Sequence, residues 1–247
     1  MGEQLILRCE NSLEGIFSAI SDALEHRQKM ENAQLEGISI VIGDEGEKSA
    51  EEQMVTTDAQ KVEALVRSIQ SKLGFSVYDS VLRVLCHYDE GRASIVFRYL
   101  TRSFARGSGV TNQMDSTMLR IVEMSRRVES ELKKLYSFLN FRKHGEILLA
   151  EIEPKCNLIP LIMDHFADRF SNEDFIIFDV RRKSMVMHEA FQPCVVFAGI
   201  QLPAVDEGDD YYQNLWEQCS TSTEMKARNS KQAKSNSLPS WYRIYIQ

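Results

Sequence analysis

His165, Asp168 and Arg169 stand at i, i+3 and i+4 within the stretch Asn157 to Phe170. On a helix that spacing gathers an imidazole, a carboxylate and a guanidinium on one face. His165 would then be a general acid or base, Asp168 its orienting partner and Arg169 a phosphate ligand. The same spacing equally fits an intrahelical ion pair beside a histidine that ties the helix to a strand. Neither an adjacent nucleophile nor an HExxH-type ligand pair accompanies the three residues.

Two further groups could recognise anions. Arg98, Arg102 and Arg106 are four apart, so on a helix they drift only ~40° per step and form a stripe. Planar guanidinium forks in such a row suit successive phosphates. The alternative is a solvated row paired with acids elsewhere. Near the C-terminus, Lys226, Arg228, Asn229 and Lys231 precede Leu238-Pro239-Ser240-Trp241-Tyr242-Arg243. Cations would meet a phosphate backbone there, and rings would stack on unpaired bases. The alternative is a strap whose aromatics dock on the core. Gly43 to Ser49 imitates a phosphate loop, yet two residues separate its glycines and Glu47 precedes Lys48. A P-loop needs four residues between the glycines and a Gly before the Lys, so this is read as a solvated acidic loop.

The elements that must position these groups are mixed. Gln4 to Arg8 and Ile38 to Ile42 read as strands, and Ser12 to His26 as a helix with Ile16, Phe17, Ile20 and Leu24 at helical spacing. Thr57 or Asp58 can cap a helix carrying Val62, Leu65, Val66 and Ile69, which Gly74 ends. Two helices are predicted between Val77 and Arg106, divided at Asp89 to Gly91, and a long one over Met118 to Phe138. Strands follow at Ser137 to Phe141, Ile147 to Ile152, Phe175 to Val180, Met185 to His188 and Cys194 to Ile200, with the helix from Asn157 among them. This predicts an α+β fold, its helices packed on a mainly antiparallel sheet, with a helical first half and a β-rich second half. A single compact domain over 1–247 is expected, with a sub-boundary near 107–117 and a basic aromatic strap over 223–247.

Composition excludes several classes. The 247 residues include 43% apolar and 26% charged side chains, the profile of a globular protein with a sizeable core. The longest apolar runs are far shorter than the ~20 residues of a membrane helix. The first residues read as neither signal nor transit peptide, so a cytoplasmic location without membrane contact is expected. Five scattered cysteines without a CxxC pair are expected to be reduced and buried, with no metal and no cofactor. The net charge of −7 hides local basic stretches that could still hold anions.

Longer motifs surround the candidate residues: Glu151-Ile152-Glu153-Pro154, Asn157-Leu158-Ile159-Pro160-Leu161, His165-Phe166-Ala167-Asp168-Arg169-Phe170 and Phe175-Ile176-Ile177-Phe178-Asp179. With Ser12 to Phe17, Val77 to Leu100, Leu215-Trp216, Arg228-Asn229 and Leu238-Pro239, they resemble a bacterial family described as probable DNA metabolism proteins. The family's long helix carries Glu-His-Arg where this chain has Glu131-Leu132-Lys133. Its members stand beside a radical-SAM protein thought to act on DNA, and a related domain is fused to a uracil-DNA-glycosylase-like module. The resemblance implies an accessory nucleic-acid-binding protein of DNA metabolism or repair with a radical-SAM partner. Arg98, Arg102, Arg169, Arg228, Asn229, Lys231 and Tyr242 would then contact DNA. The alternatives are a nucleic-acid hydrolase or lyase using His165 and Asp168, and an adaptor that binds protein only.

Overall fold

The computed structural model describes residues 5–29, 37–43, 52–106, 115–200 and 209–221. The chain divides into two compact units, 1–129 and 130–247. The segment 223–247, with Arg228, Asn229, Lys231 and Tyr242, lies outside the described residues, as do residues 44–51 of the acidic loop.

In the first unit β1 (Leu5–Cys9) is the middle strand of three, flanked by β2 (Ile38–Ile42) and β3 (Glu52–Met54), both parallel to it. Helix α1 (Leu13–Lys29) connects β1 to β2 and buries Ile16, Phe17 and Ile20. Arg8 is 4% exposed. Its Nε donates to Glu52 at 2.8 Å and an Nη donates to the Gly43 carbonyl at 2.9 Å, so one guanidinium joins β3 to the exit of β2. Helix α2 (Ala59–Leu73) starts at Asp58, whose carboxylate accepts from the Gln60 and Lys61 amides at 2.8 and 3.3 Å. It stops at Gly74, which has φ of 93°, where a side chain would be strained. Helices α3 (Phe75–Leu85) and α4 (Arg92–Arg106) follow, and α5 (Ser116–Phe138) contains the point where the units divide.

The second unit holds five strands in the order β4 (Arg142–His144), β5 (Ile147–Ile152), β6 (Phe175–Asp179), β7 (Ser184–His188) and β8 (Val195–Ala198). Helix α6 (Ile159–Arg169) connects β5 to β6, with Pro160 in its first turn, where the missing N–H is harmless. Helix α7 (Asp209–Ser220) brings Tyr212 and Cys219 onto Leu149, Ile176, Phe178 and Met187. All five cysteines are buried and none forms a disulfide among the described residues, and burial pushes the Cys9 thiol up to about 11.

The fold is α+β, but its sheets are mixed rather than mainly antiparallel. All pairs of the first sheet are parallel, as is β5 with β6. For β1 with β2 and for β5 with β6 the reason is connectivity: a helix between two strands returns the chain to the same end, whereas a tight turn reverses it. The strand expected over Ser137 to Phe141 is also corrected, because α5 runs to Phe138 and β4 begins at Arg142. Two elements escape the periodicity. Glu52-Gln53-Met54 is short and polar and pairs only because β1 lies beside it. Helix α7 begins within the acidic run Asp206 to Asp210, a composition that signals a loop rather than an amphipathic helix.

Gly15 gives a test of the close approach at the start of α1. A Cβ there would lie 2.8 Å from the Glu10 carbonyl oxygen and 3.0 Å from Ser12 Oγ. Gly15→Ala is expected to lower stability by roughly 1–3 kcal/mol in urea unfolding, despite alanine's better helix propensity. Equal or higher stability would refute the close approach.

Candidate nucleic-acid interface

Helix α4 turns Ala93, Val96, Phe97 and Leu100 into the core of the first unit, which leaves Arg98 and Arg102 half-buried at its margin. Arg102 is engaged. Its Nη1 donates to Asp115 at 2.6 Å and to Thr117 Oγ1 at 2.7 Å. Asp115 also caps α5 by accepting from the Met118 amide at 2.8 Å. That amide first, and the Arg102 charge after it, hold the Asp115 carboxyl below the usual carboxylate range. Arg98 makes no ion pair among the described residues, and its Nε is buried without a hydrogen-bond partner. Arg106 closes the helix. Arg92, at the other end, is structural: 9% exposed, it donates to the carbonyls of Leu85 and Asp89 and to Asn11.

In the second unit, α6 is held at its entrance by a buried carboxylate. Asp179 is fully buried and accepts from the Arg182 amide at 3.1 Å and its guanidinium at 2.9 Å. The same guanidinium donates to the carbonyls of Pro154, at 3.2 Å, and Lys155. Glu131 accepts from the Cys156 amide at 3.0 Å. Beside it Leu132, where the resembled family has a histidine, is 7% exposed. Together these bonds shape residues 153–156 and set where α6 begins. The sequence motif contains Asp179, but its spacing from Pro154 gives no hint of this contact.

The exposed side of α6 carries the predicted trio. His165 lies over the ring of Tyr136 from α5, with centroids 4.1 Å apart, and the Tyr136 hydroxyl donates to the Leu161 carbonyl at 3.0 Å. His165 and Asp168 are both exposed, and among the described residues no hydrogen bond joins them. Asp168 acts on Asp164 instead: burial first, then the Asp168 charge, raises the Asp164 carboxyl. Arg169 is exposed and places its guanidinium 5.5 Å from the Phe170 ring centre. It has no carboxylate partner among the described residues.

The trio thus resolves into a ring pair, an acid that disfavours its neighbour's charge, and an arginine held against a ring. Such a face can stack on a planar group and bind an anion beside it. The ring of Tyr136 was not identified from sequence, since only the folded chain brings the end of α5 against α6. No three metal-ligating side chains converge among the described residues, and no described helix is long and apolar enough to cross a membrane.

Residues 90–247, from just before α4 to the C-terminus, match a family described as a domain of unknown function, DUF4130. The chain belongs to the DUF4130 family. Its match includes α4 and α6 and the positions of all the candidate binding residues, whereas α1 to α3 precede it. No curated protein matches the chain.

The Asp115 cap carries a pH-dependent prediction. Asp115→Ala should lower stability by about 1 kcal/mol at pH 7. Because folding depresses this carboxyl, its contribution is present above the unfolded carboxylate range and is lost as pH falls through the folded value. Urea midpoints of parent and variant should therefore approach each other in acid; a constant gap down to pH 2 would refute the assignment.

Proposed function

We propose that this DUF4130 protein is an accessory nucleic-acid-binding protein of DNA metabolism or repair. Its partner would be the radical-SAM protein that the family resemblance implies. The observation that carries the binding reading is the exposed side of α6: the His165 ring stands on Tyr136, and Arg169 follows one turn later without a carboxylate partner among the described residues. Rings offer a stacking surface that tolerates any base, and a guanidinium supplies backbone neutralisation. Arg98 is a second cation of this kind, in the first unit. Arg102 serves Asp115 first and contributes less. The choice of DNA rests on the resemblance.

The acid–base alternative receives no comparable support. Asp168 does not hydrogen-bond His165 among the described residues, so the oriented pair on which that alternative was built is not formed here.

The test is affinity for single- and double-stranded oligonucleotides across a salt series. Binding should weaken steeply as salt rises, because phosphate contacts release counterions. Arg169→Ala should weaken it at every sequence and reduce the slope of log K against log salt by about 1. Lack of binding at low salt, or binding that ignores salt, would sink the reading.

A further inference from the structure

Phe191 is 77% exposed and has a φ of 63°. A bulky side chain at positive φ is a genuine outlier, and such strain persists only where the surroundings impose it. Here they do. The Gln192 amide donates to the Glu189 carbonyl at 2.9 Å, closing a turn in which Phe191 is the third residue. Ala190 has no positive φ, so the turn is of type II and Phe191 occupies the position that favours glycine. The Phe191 amide donates to the Ser171 carbonyl at 2.6 Å, and the Ala190 amide donates to the Asp174 carboxylate at 2.8 Å. Just before the turn, His188 has its Nδ1 3.0 Å from the Glu173 carbonyl and its ring stacked on Phe175. A pinned, strained turn thus holds a large apolar ring out into solvent.

Its position relates it to α6. Ser171, which accepts from the Phe191 amide, lies two residues beyond Arg169. The geometry points to Phe191 as a stacking wedge for one unpaired base of a polynucleotide, with Arg169 on the adjacent phosphate; this rests on the nucleic-acid reading above. Glu189 in the turn, Asp174 hydrogen-bonded to it and Glu173 beside His188 set acids around it and disfavour a continuous track of phosphates. The ring therefore meets a base face at a single-stranded stretch or gap rather than lying along an intact duplex. Apolar rings inserted at unstacked steps are a recurrent way to hold such a base.

The experiment compares parent, Phe191→Gly, Phe191→Trp and Arg169→Ala by fluorescence anisotropy, using a labelled single strand, a one-nucleotide-gapped duplex and a blunt duplex. Glycine accepts φ of 63° without strain, so Phe191→Gly should unfold at the same or a higher urea concentration than the parent. Its affinity for the single strand and the gapped duplex should nevertheless fall roughly 5- to 150-fold, with less than a twofold change on the blunt duplex. Phe191→Trp should retain binding. Phe191→Gly within twofold of the parent on all three probes, while Arg169→Ala weakens them, would overturn the wedge and leave the α6 surface standing. A parent that binds none of the probes at low salt would overturn both.

Discussion

The exposed side of α6 depends on a carboxylate that water never reaches. Asp179 ends β6 fully buried, and a buried charge is tolerated only when it is paired and hydrogen-bonded. Arg182 meets that demand from three residues away and extends to the carbonyls of Pro154 and Lys155. The turn after β6 is thereby fastened to the segment between β5 and α6. The start of α6 is set by this joint, and with it the positions of His165 and Arg169. Parallel pairing of β5 with β6 brings Asp179 opposite Ile152, at the matching end of the neighbouring strand.

The same economy explains why arginines are poor markers of a binding surface here. Arg8, Arg92, Arg102 and Arg182 each hold backbone carbonyls or acidic and amide side chains at junctions between elements. A guanidinium has five donors in a rigid fork, so one side chain can satisfy several acceptors at a helix or strand end. Arg169 is different, since it lies on a ring rather than between acceptors. The exposed rings differ from one another as well: His165 rests on Tyr136, whereas Phe191 projects from a turn whose backbone is strained.

Much of the architecture was legible along the chain. Apolar spacing located α1 to α6, Asp58 and Gly74 marked the ends of α2, and β-branched runs located β1, β2 and β5 to β8. These are local signals, carried by side-chain periodicity and by the preferences of single residues for caps and turns. Glu52 to Met54 had no such signal, because its strand character comes from the neighbour with which it pairs. The candidate site was legible in part. The helical spacing of His165, Asp168 and Arg169 put them on one side of α6, but gave neither their exposure nor the absence of a bond between the first two among the described residues.

Sequence alone therefore determined the segments that become helix or strand, the apolar faces that must be buried, and the set of polar groups left over for chemistry. Tertiary structure decided which polar groups were consumed in holding the fold and which remained exposed. The burial of Asp164 beside Asp168, Tyr136 under the imidazole, Arg102 on Asp115 and the strained turn at Phe191 all follow from packing. The physical reason is range: propensity and periodicity act over a few residues, whereas a buried charge or an unpaired donor takes whichever partner the folded chain brings within about 3 Å.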